Sequence, residues 1–163
     1  MGLMSKIDRT CGSIRHAHTY NWDMDQESLQ PVVAAAIINT THNQPKLLAA
    51  QRSYPPELAG KYELPGGKVE AAEAPLAALE REIREELNCA IKIHRFLPCP
   101  NSPEGTWPIL GGRRMYVWVA GPLSTPQVGN SHSKLQWVTL PQARALPWLG
   151  PNWPIVEAVF NNL

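Results

Sequence analysis

Between Pro75 and Leu87 the chain sets Leu76, Leu79, Ile83 and Leu87 at intervals of three and four residues, which predicts a helix with a single apolar stripe against a core. Pro75 suits the first turn of such a helix, and Asn88 suits its end because Asn tolerates a left-handed backbone. On the same helix Glu82, Glu85 and Glu86 fall within an arc of roughly 100°, beside the stripe rather than opposite it. Like charges three and four apart repel by a few tenths of a kcal/mol, so three of them next to a core cost stability unless a cation occupies the gap. Hard oxygen ligands at this spacing suit Mg²⁺, with Mn²⁺ as a substitute; such ions retain waters and share their remaining positions with phosphates. The interleaved Arg81 and Arg84 leave a second reading open, an ordinary salt-bridged surface.

The helix must pack on something, and the preceding text supplies strands. Residues 32–40, VVAAAIINT, are β-branched and apolar, THNQP turns, and KLLAAQR resumes, which predicts a hairpin. A loop rich in proline and glycine, SYPPELAGK, leads to a brief strand at Tyr62 to Leu64, broken by Pro65-Gly66-Gly67. Beyond the helix, AIKIHRFLP, RRMYVWVAG and LQWVTL (135–140) read as strands, PQARAL as a short turn or helix, and PIVEAVFNNL as a closing helix. Strands and helices mix without a regular βαβ beat, which predicts an α+β layered domain over residues 30–163. Residues 1–29 show no sustained period and read as an irregular extension, in which His16 and His18 are solvated.

Composition limits the partners. A chain of 163 residues fits one domain, and 15 Lys plus Arg against 14 Asp plus Glu give a net charge of +1, which lacks the basic field that gathers a nucleic acid polymer. Small anions remain open as ligands. Three widely spaced cysteines, Cys11, Cys89 and Cys99, form no CxxC pair and fit a reducing cytosol. Apolar runs are short, so neither a membrane span nor a secretory signal is expected, and the protein reads as soluble and cytoplasmic.

From Gly67 the chain reads Gly, five residues, Glu73, seven residues, Arg81-Glu82-Ile83-Arg84-Glu85-Glu86, two residues and Cys89. This resembles the Nudix box, G x5 E x7 R E U x E E x G U with U a bulky apolar residue, and departs from it only at Asn88, where the family has glycine. The resemblance implies a Nudix-type α/β/α sandwich with a mixed sheet between helices, and hydrolysis of a nucleoside diphosphate linked to some group, using water and a divalent metal. It further implies that a carbonyl of the glycine pair, at Gly66, ligates the metal with Glu82, Glu85 and Glu86. Glu73 then supports these ligands, Arg81 orients Glu82, and Glu82 or Glu86 takes the water's proton. Gly67 and Lys68 stand where the substrate's phosphates approach, and the glycines are expected to supply close approach and unusual backbone angles.

The likeness extends to the MutT-like branch, whose members convert nucleoside triphosphates to monophosphate and pyrophosphate. Arg52, fourteen residues before Gly66, matches that branch's phosphate-binding arginine, and LPWLGPNWPIVEAV resembles its base-reading segment, with Asn152 at the base-contacting position. An amide offers both donor and acceptor and so pairs with the edge of 8-oxoguanine. The PPELAGKYELPGGK stretch is equally like relatives that prefer cytidine, so 8-oxo-dGTP and CTP or dCTP both stand as substrates, with a catalytically silent nucleotide-binding module as the remaining reading. Trp153 is the aromatic expected to stack a base, whereas Trp107, Tyr116, Trp118 and Trp148 default to packing. MutT-like proteins often carry a glutamate about six residues before the tryptophan of the QWV-type strand; here Ser131 stands there with His132 beside it, and a lone histidine in a polar loop is expected to be solvated.

Overall fold

The computed structural model describes residues 30–41 and 43–163. The readings of the 1–29 extension, Cys11, His16 and His18 lie outside the described residues. Strand β1 (Val32–Asn39) turns into the antiparallel β2 (Lys46–Arg52), but the two pair only at Ile38 with Leu47 and Asn39 with Lys46. Their far edges are taken: β1 runs parallel to β7 (Arg114–Pro122) from Val32 to Ile37, and β2 pairs along its length with β8 (His132–Val138). The arms of the hairpin therefore diverge, and residues 62–68 fill the gap, with β3 (Tyr62–Glu63) on β2 and β4 (Gly66–Lys68) on β1. Strands β5 (Ile91–Phe96) and β6 (Trp107–Pro108) pair antiparallel with β7. The glycines expected to break a strand thus form one: Ala34 faces Gly66, and Ala35 N–H donates to the Pro65 carbonyl at 2.9 Å.

Because side chains alternate across a strand, β1 serves two cores. Val33, Ala35, Ile37 and Leu48 meet Ala78, Leu79, Ile83 and Leu87 of helix α1 (Pro75–Leu87), with Cys89 completing the cluster. Ala34, Ala36, Ile38 and Leu47 meet Ile155, Val156 and Val159 of the closing helix. A mixed sheet between helices is the expected α/β/α sandwich, with the helix Leu140–Arg144 (α2) and the closing helix Asn152–Asn161 (α3) on the second face. The short α2 is secured by a reciprocal cap between Thr139 and Gln142, whose side-chain oxygen accepts from the Thr139 N–H at 2.9 Å.

Asn88 ends α1 at φ 43° and ψ 40°, the left-handed shape that lets it stand in for glycine. The apolar stripe needs one correction: Leu76 is 39% exposed, because the first turn of α1 lies outside the face covered by the sheet, and Ala78 packs inward instead. The last strand begins at His132, not Leu135, since His132 and Lys134 pair with Arg52 and Gln51. Ile83, fully buried at the centre of the α1 contact, gives a direct check of this packing. Ile83→Ala is expected to cost about 2–5 kcal/mol in urea unfolding, since a buried methyl-rich side chain leaves a cavity. Among the described residues no helix is long and apolar enough to cross a membrane.

Candidate active site

Two glycines stand where β4 meets its neighbours, one against β1 and one against α1. A Cβ on Gly66 would overlap the Val33 carbonyl of β1, and one on Gly67 would overlap the carboxylate of Glu82. Neither glycine has a positive φ, so the unusual angles expected of them are absent, and what they provide is the missing side chain. Across this seam the Gly66 N–H donates to Glu86 Oε2 at 3.3 Å. Gly66 thus lets β4 lie close against β1, and Gly67 leaves room for the Glu82 carboxylate of α1 beside β4.

Arg81 gathers the carboxylates. Its Nη2 and Nε bond both oxygens of Glu73 at 2.8 Å, its Nη1 bonds Glu82 at 2.8 Å and reaches Glu85 at 3.4 Å, and Nη2 also donates to the Lys68 carbonyl at 3.1 Å. Glu73 in turn accepts from the Glu70 N–H at 3.0 Å, closing the loop ahead of α1. The Arg81 bond, followed by this backbone bond, lowers the Glu73 carboxyl to about 2, and the carboxylates raise Arg81 above its usual value. Glu86 is in the opposite situation. Burial pushes its carboxyl from 4.5 up to about 7; His132 opposes the rise, and the charges of Glu63 and Glu82 add to it.

The expected solvated His132 is instead enclosed, with a side chain 0% exposed. It opens β8 at a register irregularity opposite Arg52, which turns it inward, and its Nε2 lies 3.1 Å from Glu63 Oε1. Glu63 also receives both contacts of Arg52 Nη1, at 3.1 and 2.9 Å, while Arg52 Nε donates to the Tyr54 carbonyl at 3.2 Å. Sequence reasoning gave Glu63 no role. The available signal was its place in Tyr62-Glu63-Leu64: the two neighbours are buried apolar residues, so the acid between them must face the opposite side of β3, three residues before Gly66.

Arg52 and Glu63 line a cavity of about 270 Å³ with Asn152, Arg113, Ile109, Met115 and Leu149. Asn152 is buried there, and its Oδ1 accepts from the Leu64 N–H at 3.0 Å, which joins α3 to the strand that carries Glu63. The structure therefore brings Gly66, Gly67, Glu73, Arg81, Glu82, Glu85 and Glu86 into one contacting group, and places Arg52 and Asn152 on the wall of the cavity that Glu63 lines. Lys68 is exposed on β4. Trp153 is not brought in: it lines a different cavity with Arg144, Leu146, Pro147 and Trp148. Trp107 and Trp148 are buried and donate to the Leu97 and Ala143 carbonyls, and Tyr116 and Trp118 stack on each other.

The donor set of α1 consists of carboxylate oxygens beside a cradle that a Cβ would fill, which fits a hard divalent cation. In the arrangement described, Arg81 holds Glu82 and Glu85, and among the described residues no three His, Cys, Asp or Glu side chains stand at ligand spacing.

Comparison with known proteins bears out both the recognition and the fold. A CTP pyrophosphohydrolase of Escherichia coli strain K12 is 30% identical over 126 residues, which cover 77% of this chain and 88% of that protein. A protein of Mycobacterium tuberculosis provisionally named 8-oxo-dGTP diphosphatase 2 is 53% identical over 62 residues, 38% of this chain; the match spans 41% of that relative's length. In structure, the MutT NUDIX hydrolase of Burkholderia pseudomallei aligns with a TM-score of 0.62 at 27% identity, covering 80% of this chain and 97% of that one. The E. coli ORF135 protein aligns at 0.63 and 28%, covering 82% and 89%. Residues 29–159 match the NUDIX domain, and the chain belongs to that family.

Proposed function

We propose that the chain is a divalent-cation-dependent nucleoside triphosphate pyrophosphohydrolase that releases the monophosphate and pyrophosphate, with 8-oxo-dGTP as substrate in sanitising the nucleotide pool of the cytoplasm. The observation that carries this reading is that Glu63 of β3 lines a cavity with Arg52 and Asn152 while Gly66, three residues further on, bonds Glu86 of α1. A base held in the cavity lays its triphosphate along Gly66 and Gly67 toward Glu82, Glu85 and Glu86. Mg²⁺, or Mn²⁺ in its place, would be held by these three with the Gly66 carbonyl, and when bound supplies charge neutralisation of the phosphates and a more acidic water. Release of Glu82 and Glu85 from Arg81 frees them for that task, while Arg81 stays anchored by Glu73. Glu86 or Glu82 accepts the proton of the attacking water. Lys68, exposed on β4, is assigned to the phosphates. Arg52, already paired with Glu63, stays on the wall of the base cavity, and Trp153, which faces another cavity, is given no part in holding the base.

Asn152 supports the oxidised purine. Its Oδ1 keeps one lone pair beside the Leu64 bond and its amide remains a donor, which together match an N7–H donor and an O6 acceptor. CTP or dCTP is the second reading, favoured by the E. coli relative of that name, which aligns over most of both chains. Pyrophosphate release with Mg²⁺ over a panel of nucleoside triphosphates, 8-oxo-dGTP and dCTP included, separates these. A kcat/KM highest for 8-oxo-dGTP is expected. Highest turnover of dCTP or CTP selects the second reading, comparable rates on every base remove the base-reading role of Asn152, and turnover of none overturns the activity.

A further inference from the structure

His132 occupies an enclosed place at the start of β8, against Glu63. Its ring is enclosed, and Nδ1 is the one buried side-chain polar atom without a hydrogen-bond partner among the described residues. A desolvated nitrogen without a partner is unfavourable, so the imidazole is explained by its other nitrogen, the one that meets Glu63. Glu63 needs such an anchor. Its other bond is to Arg52, and that ion pair is partly exposed, with side chains 25% and 17% accessible, so solvent screens it. Arg52 has a tie of its own to the Tyr54 carbonyl, whereas the Glu63 side chain, among the described residues, has none beyond Arg52 and His132. A rigid ring without solvent access fixes one carboxylate oxygen and restrains the pair on the wall of the cavity that Asn152 also lines.

We propose that His132 is a positioning residue for nucleotide selection: through Nε2 it fixes Glu63, and through Glu63 it sets the Arg52 guanidinium at the wall of the nucleotide cavity. The inference rests on the proposed activity and deepens it. His132 touches no substrate; it makes the Arg52–Glu63 pair a rigid surface, which a base and its sugar meet without further ordering. Its hold on Glu63 acts on binding, and therefore on KM; its charge also reaches Glu86, so a small change in kcat accompanies its replacement.

Two substitutions divide the imidazole. His132→Gln places an amide N–H where Nε2 stood, whereas His132→Asn reaches only the place of Nδ1. With the triphosphate the panel favours, His132→Gln is expected to keep KM within about threefold of the unmodified protein, and His132→Asn to raise it about tenfold with kcat changed by less than about threefold. The Arg52 Nε–Hε NMR resonance, recorded without nucleotide or cation, is expected to keep its position in His132→Gln and to move toward that of a free arginine in His132→Asn. An unchanged KM in His132→Asn, equal losses in both variants, or a fall in kcat alone overturns the proposal, as does an Arg52 signal that stays in place in His132→Asn. If the unmodified protein cleaves no triphosphate, the activity reading fails while the Arg52 signal still decides this one. Should His132→Asn not fold, His132→Leu fills the enclosed space without a nitrogen at the place of Nε2, leaves Glu63 and Arg52 in place, and carries the same expected rise in KM and shift of the Arg52 signal.

Discussion

Glu86→Gln is expected to lower kcat by about 10²–10⁴-fold while the protein stays folded, the range for loss of a proton-accepting or charge-holding group at a reacting centre. The isosteric amide keeps an oxygen for the Gly66 N–H, so the seam between β4 and α1 survives. Stability carries a second signature of the same residue. In the absence of a cation the Glu86 carboxyl is raised from 4.5 to about 7, so between those pH values the folded protein retains a proton that the unfolded chain has released. Stability attributable to Glu86 therefore falls as pH rises from about 4.5 to about 7, by on the order of 3 kcal/mol. Denaturant unfolding in a chelator from pH 5 to 8 should show this fall in the unmodified protein and lose it in Glu86→Gln. A divalent cation, which needs the carboxylate, should reverse the fall. An unaffected rate in Glu86→Gln would sink its assignment to the chemistry.

Gly67→Ala is expected to reduce kcat/KM by at least about 10²-fold through a single methyl group, in line with what a displaced charge-stabilising group costs. The new Cβ would occupy the place of the Glu82 carboxylate, which then moves away from β4 and from its bond to Arg81 at 2.8 Å. Gly66 is a different case, because its Cβ would meet the Val33 carbonyl, a backbone atom that cannot swing aside. Gly66→Ala should accordingly lower the unfolding midpoint, whereas Gly67→Ala should act on activity and cation affinity first. Comparing thermal unfolding with kcat/KM for the two variants separates the roles, and equal behaviour of both would refute the distinct contacts assigned to them.

What could be read from the sequence was what depends on neighbours in the chain. The α1 stripe at Leu79, Ile83 and Leu87, the hairpin of β1 and β2, and the left-handed Asn88 all follow from spacing or from one residue's backbone preference. The same holds for the Arg81 and glutamate block, whose charges are brought together by helical spacing alone. Features set by distant partners were not legible. Gly66 and Gly67 look like a turn until the diverging arms of β1 and β2 give them a strand to pair with. His132 looks solvated because nothing near it in sequence shows that β8 will lie along β2 and press it against Glu63, 69 residues away in the chain. Trp153 follows Asn152, yet one helical step of about 100° carries its ring to a different cavity. Leu76 fits the stripe by spacing and is exposed because the sheet stops short of the first turn.

The central claim is that a strand of glycines and the carboxylates of one helix close around divalent cations beside a nucleotide's phosphates. Crystals of the protein grown with Mn²⁺ and a non-hydrolysable triphosphate analogue, measured at a wavelength where manganese scatters anomalously, test it directly. Anomalous peaks are expected about 2 Å from oxygens of Glu82 and Glu86 and from the Gly66 carbonyl, with the base in the cavity of Arg52 and Asn152. Manganese bound elsewhere, with Arg81 still holding Glu82 and Glu85, would contradict it.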